Sequence, residues 1–205
     1  MQAVLPPLQP PLVDPNSPPG SLMYLLRHGQ SYFNLHFSET HRDPGIEDPE
    51  LTPLGVTQAK TAAATLSTVA LTRLIVSPYT RALQTAAAIL ATRQLQVDIR
   101  HEVRERAAFV CDIGSSPDAL ALRFPRHSFG HLPSKWWQDA VESAAATEAR
   151  AREFRRSVAG DGQAATTLLV SHWAFILALT GIPLNNGELM EYDPTMPAPE
   201  RIAWQ

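Results

Sequence analysis

From Leu22 onward, short apolar runs alternate with longer stretches of mixed hydrophobic and polar residues, the pattern of strands and helices taking turns around a parallel sheet. Ser21-Leu22-Met23-Tyr24-Leu25-Leu26 reads as a buried first strand, Arg73-Leu74-Ile75-Val76-Ser77 as a second and Thr166 to Ser171 as a later one. Leu95 to Arg100 alternates apolar with polar residues, as a half-exposed strand does, and Glu188 to Tyr192 predicts a last edge strand. Thr52-Pro53 pairs an N-cap with proline at the first helical position and opens a helix through about Ala70, with Leu54, Ala62, Leu66 and Val69 on one face. Pro78 opens a second helix through about Thr92. A long helix is expected from about Ser134 to just before Gly160-Asp161-Gly162, and a short one from Trp173 to Thr180. Residues 101–133, with scattered Pro, Gly and Ser, read as irregular. The expected fold is a three-layer α/β sandwich with a mostly parallel central sheet, in one domain over residues 21–205. Residues 1–20, with the pairs Pro6-Pro7, Pro10-Pro11 and Pro18-Pro19, read as a proline-rich N-terminal tail.

Composition narrows the range of functions. The 205 residues are 44% hydrophobic and 18% charged, which suits a folded globular chain, and the net charge of -3 offers no long-range pull toward nucleic acid or an anionic membrane. One cysteine, Cys111, forms no internal disulfide and no multi-cysteine metal framework. The N-terminus lacks the pattern of a secretory signal, and the most apolar stretch, Leu168 to Leu184, is interrupted by His172 and Pro183. A soluble, cytoplasmic protein is expected.

The candidate chemistry sits where such a fold keeps its ligand sites, at the carboxyl ends of parallel strands. Arg27-His28-Gly29 follows the first predicted strand, Arg81 comes shortly after the second, and His172 follows the strand ending at Ser171. Two arginines and two histidines converging there, beside helix N-termini that expose backbone N–H groups, suit a tetrahedral dianion such as phosphate. Singly, each has a plainer reading: a hydrogen-bonded core histidine or a surface arginine. Their shared position relative to the strands raises the functional one. Gly29 lets a ligand or another chain segment come close to the backbone.

These residues also carry a family resemblance. Leu25-Leu26-Arg27-His28-Gly29-Gln30-Ser31 with Asn34, Leu51-Thr52-Pro53-Leu54-Gly55 with Gln58-Ala59, Ser77-Pro78-Tyr79-Thr80-Arg81-Ala82 with Gln84-Thr85-Ala86, Glu102 to Arg106, and Leu168-Leu169-Val170-Ser171-His172 occur in that order. Over about residues 22–192 they resemble the motifs of the histidine phosphatase superfamily, the phosphoglycerate-mutase-like group. The resemblance implies His28 as the nucleophile that forms a phosphohistidine, with Arg27, Arg81 and His172 clamping the phosphoryl oxygens and Asn34 adding a neutral donor. It implies a carboxylic acid that protonates the leaving group; Glu105 fits the pattern best, with Glu102 and Asp112 as alternatives, and a salt-bridged surface role is the plainer reading of Glu105. No cofactor and no metal is implied, and the expected substrate is a phosphorylated small molecule or a phosphoprotein.

The sequence departs from the family's pattern in ways that bear on substrate. Trp173 follows His172 where many members carry a small residue. Ala107-Ala108-Phe109 replaces a glycine-bearing stretch of the glycolytic mutases, and the segment from Glu105 to His172 is short for the mutase insert, which favours a phosphatase. Cys111-Asp112-Ile113-Gly114-Ser115 and Trp136-Trp137 also resemble one subgroup, with packing as the plain reading of both tryptophans. Arg123, Arg126, His127 and His131 are open candidates for contacting a substrate's distal group. A cysteine-dependent phosphatase is excluded because the sixth position after Cys111 is Pro117 rather than arginine, and there is no phosphate-binding Gly-Lys-Ser/Thr loop and no His-Glu-x-x-His run. A mutase moving phosphate within a small acid, or a weakly active phosphate-binding scaffold of the same fold, remain the competing readings.

Overall fold

The computed structural model describes residues 22–204; the proline-rich segment 1–20 lies outside the described residues. Five strands form one sheet: β1 (Met23–Arg27), β2 (Arg73–Val76), β3 (Gln96–Ile99), β4 (Thr167–Ser171) and β5 (Leu189–Tyr192). Their order is β3-β2-β4-β1-β5, and all neighbours are parallel except β5, which runs antiparallel to β1 at the edge. The helices are α1 (Tyr32–Thr40), α2 (Pro53–Thr65), α3 (Thr80–Leu90), α4 (Pro117–Arg123), α5 (Ala144–Ala159) and α6 (Trp173–Thr180).

Successive strand residues point to opposite faces, and the two hydrophobic cores follow that alternation. Leu26, Leu74, Val76, Leu168 and Val170 pack with Ala62, Leu66, Ala82 and Leu83 of the α2/α3 side. Met23, Leu25, Ile75 and Leu169 pack with Phe154, Phe175, Ile176 and Leu179 of α5 and α6. The sheet is therefore covered on both faces, the three-layer arrangement that the apolar runs predict.

Four local expectations need correction. Leu54 is exposed rather than in the core, because it falls on the outer side of the first turn of α2, whose buried positions are Gly55, Ala59, Ala62 and Ala63. The α-helix also ends at Thr65, and a short 3-10 turn, Leu66–Thr68, replaces its expected last residues. The long helix begins at Ala144, capped by Ser143, and not near Ser134. Residues 134–143 instead lie irregularly, because Trp136 is drawn into the α2/α3 core, where its Nε1 donates to the Ser115 carbonyl at 2.9 Å and its ring meets Tyr79 at 4.7 Å. Finally, the supposedly irregular segment 101–133 contains α4, started by Ser116 as N-cap and Pro117 at its first turn.

Candidate active site

Three strand ends deliver the cationic cluster. β1 runs into His28, β2 into Ser77 and then Arg81 in the first turn of α3, and β4 into His172, the residue that precedes α6. The ladder continues past the strands, with the His28 N–H donating to Ser171 O at 3.0 Å and the Ser77 N–H to Val170 O at 3.2 Å. As a result the two imidazoles stand with ring centroids 5.0 Å apart. Gly29 is accounted for by chain packing: a Cβ there would stand 2.3 Å from the Gly55 carbonyl oxygen, so the turn after β1 and the start of α2 meet backbone to backbone. Its N–H donates to Thr85 Oγ1 at 3.1 Å, which ties that turn to α3.

Hydrogen bonding sets the state of each ring. His28 Nδ1 lies 2.7 Å from the Gly29 carbonyl oxygen; a carbonyl only accepts, so Nδ1 carries the proton and Nε2 keeps its lone pair. Burial first, then the charges of Arg81 and Arg27, holds the His28 pKa well below the usual imidazole value, so the ring is neutral. His172 Nε2 pairs with Ser77 Oγ at 2.8 Å, while its Nδ1 is buried without a protein partner. Burial, then Arg81, His28 and Arg27, lowers its pKa in the same way.

The arginines are held from behind. Arg27 Nη1 donates to Leu184 O at 2.7 Å and its Nε is a buried donor without a protein partner. Burial lowers its pKa to about 10, which leaves it charged at neutral pH. Arg81 donates to Cys111 O at 2.9 Å and Asp112 Oδ1 at 3.2 Å, and lies 4.3 Å from the centre of the Tyr79 ring. Orphaned buried donors are costly unless something binds them. Arg27 Nε and the Arg27 and Arg81 guanidinium charges, which line one cavity, fit an anion with several acceptor oxygens, while His172 does not line that cavity.

The three carboxyl candidates separate clearly. Glu105 is half-buried and lines the same cavity of about 440 Å³ as Arg27, His28, Asn34 and Arg81. Its Oε1 accepts from the N–H groups of Arg106 and Ala174, both at 2.9 Å, which leaves Oε2 for the cavity. Burial first, then the Asp112 charge, raises its pKa. Asp112 spends both oxygens, on Arg81 and on the N–H groups of Ala108 and Phe109; its place is to hold Arg81. Glu102 is 43% exposed and faces His101 at 3.7 Å.

Two residues outside the motifs fasten the Glu105 segment. Arg150 on α5 donates to the carbonyls of Glu102 and Arg104 and pairs with Glu142 through Nε at 2.8 Å and Nη2 at 2.6 Å. Glu142 in turn donates its N–H to Ala107 O and accepts Arg106 Nε on its carbonyl. Glu105 is thus bracketed on both sides in sequence. Asn34 also reaches the cavity while completing the capping box of α1; its Oδ1 accepts from Ser31 and Asn186, leaving its amide N–H groups for a ligand.

The remaining basic candidates are not brought to this cavity. Arg123 pairs with Glu50 at 2.7 Å, and Arg126, His127 and His131 line a separate cavity of about 790 Å³ along β3, where His131 Nε2 meets Ile99 O. The Cys111-to-Ser115 motif proves structural. Asp112 anchors Arg81, its carbonyl accepts from the Tyr79 hydroxyl, and Gly114 passes against Trp136, where a Cβ would stand 2.4 Å from the indole. Among the described residues no group of three or more His, Cys, Asp or Glu is arranged to hold a metal ion, and no helix is long and apolar enough to cross a membrane.

A cluster of arginines and histidines at the strand ends of a three-layer α/β sheet is the setting in which the family match falls. The chain belongs to the histidine phosphatase superfamily (branch 1), whose model matches residues 23–196. No curated protein matches the chain. Among solved structures, it is similar to a mycobacterial glucosyl-3-phosphoglycerate phosphatase in complex with VO3, at 22% identity and a TM-score of 0.58, over 83% of this chain and 90% of that one. It is similar also to a phosphoserine phosphatase from Entamoeba histolytica in complex with 3-phosphoglyceric acid, at 20% identity and a TM-score of 0.57, over 83% of this chain and 89% of that one.

Proposed function

We propose that the protein is a metal-independent phosphomonoesterase that works through a phosphohistidine on His28. The observation that carries this reading is the pairing of a neutral, Nδ1-anchored imidazole and two arginines with a half-buried carboxyl, raised in pKa, in the same cavity. Arg27, Arg81, His172 and Asn34 receive the phosphoryl oxygens, where charge stabilisation and positioning supply most of the rate. His28 Nε2 attacks phosphorus; the N–P bond forms as the ester P–O bond breaks, and Glu105 gives its proton to the departing alkoxide oxygen. A water then takes the alcohol's place and loses its proton to the Glu105 carboxylate. Its oxygen attacks phosphorus and the N–P bond breaks, which releases inorganic phosphate and restores neutral His28.

Hydrolysis of an activated aryl phosphate in the presence of chelator, with a quench that preserves acid-labile, base-stable phosphoenzyme, tests this directly. Wild type is expected to turn over and yield the intermediate, and His28→Ala to do neither. Folded wild type that binds vanadate but neither hydrolyses nor becomes phosphorylated would make the protein a phosphate-binding scaffold instead.

A further inference from the structure

The cavity that holds Arg27, His28, Arg81 and Glu105 is also lined by a cluster of aromatic side chains. α1 turns Phe33 and Phe37 toward it from positions one helical turn apart, their rings stacked at 5.2 Å, and Phe109 meets each of them at 5.2 Å. Ala108 and Trp173 line the same cavity. Phe109 is 43% exposed, a large aromatic surface left open beside a charged pocket, and its continuity with the phosphate site says what should cover it. Among the residues lining the cavity only Arg106 adds a cation to the Arg27/Arg81 pair. Its Nε is committed to the Glu142 carbonyl and its guanidinium lies 5.3 Å from the centre of the Trp204 ring.

Resting on the phosphatase reading above, we propose that the preferred substrates are small phosphate monoesters of apolar, ring-bearing alcohols, in preference to phosphoacids and polyol phosphates. The ester's ring leaves the clamp toward Phe37 and Phe109, where aromatic edges and faces pair favourably. A carboxylate or a run of hydroxyls would lose its water there without gaining partners in return.

The test compares 2-phenylethyl phosphate, glycerol 3-phosphate and 3-phosphoglycerate, all primary alkyl esters, so that binding rather than leaving-group acidity decides the ranking. Wild type is expected to show kcat/KM for the phenylethyl ester at least about 10-fold above the other two, and the Phe37→Ala/Phe109→Ala pair to shrink that ratio about 10-fold. Both side chains are exposed or half-buried, so the variant should fold; a circular dichroism melt checks this. Preference for 3-phosphoglycerate, abolished by Arg106→Ala, would overturn the proposal and assign Arg106 to a second anionic group. A ratio unmoved by the double substitution would overturn it as well. Wild type that hydrolyses an activated aryl phosphate but prefers a polar ester defeats this inference alone; failure on the aryl phosphate too defeats the phosphatase reading with it.

Discussion

The two sides of the cavity are built by different means. On the side of the proposed phosphate clamp, Arg27, His28, Arg81 and His172 sit at or just beyond three adjacent parallel strand ends, and a continuous backbone ladder holds them in register. On the side of the proposed proton donor, Glu105 lies in a segment with no strand partner, held by the α6 N-terminal amide of Ala174 and by the Arg150–Glu142 pair. Positions set by a packed sheet move little. Positions set by side-chain hydrogen bonds depend on a few distant residues, so mutations on the two sides should have distinguishable kinetic signatures.

The largest effect is expected on the strand-end side. His28→Ala should lower turnover of every ester to background, about 10⁴-fold or more, with loss of the trapped phosphoenzyme, because no neighbour replaces the nucleophile. Glu105→Gln comes next: a drop of about 10²–10⁴-fold on alkyl phosphates, with a much smaller one on nitrophenyl phosphate, whose leaving group needs little protonation. Equal losses on both esters would move the proton donor elsewhere. Arg150→Lys should cost roughly 10-fold on alkyl phosphates and little on nitrophenyl phosphate, because lysine cannot reproduce the forked contacts that brace the Glu105 segment. An equal loss on both would reduce Arg150 to a general structural role.

The smallest effect is the pH dependence. His28 is held neutral by its lowered pKa, so the nucleophile should remain competent as pH falls below 6.5. Glu105, with its raised pKa, keeps its proton above the usual carboxyl range and loses it as pH rises further. Alkyl phosphate turnover should therefore hold on the acidic side and decline on the alkaline side. That alkaline decline should vanish in Glu105→Gln, which pH–rate profiles of the two proteins can check.

Legibility followed the same division. His28 and His172 were visible because a buried apolar run ending in a charged residue marks both a strand and its carboxyl end, and parallel strands bring such ends together without further information. α1 was not visible: Tyr32 to Thr40 buries only Phe33, so it has no apolar stripe to betray a helix. α4 was missed although Ser116-Pro117 is the same kind of start that marked α2 at Thr52-Pro53. The start of α5 at Ala144 rather than near Ser134 was not legible, because only the packed core shows that Trp136 is drawn out of a helical path.

The sequence by itself determined the sheet, its two apolar faces and the cationic cluster at the strand ends, since these depend on local periodicity and on the ordering of elements. Only the tertiary structure decided that Asp112 holds Arg81, that Arg150 and Glu142 brace Glu105, and that Phe33, Phe37 and Phe109 line the same cavity as Arg27 and His28. Those contacts join residues dozens of positions apart through side chains. No periodicity encodes such pairings, because each exists only after the sheet and helices have packed.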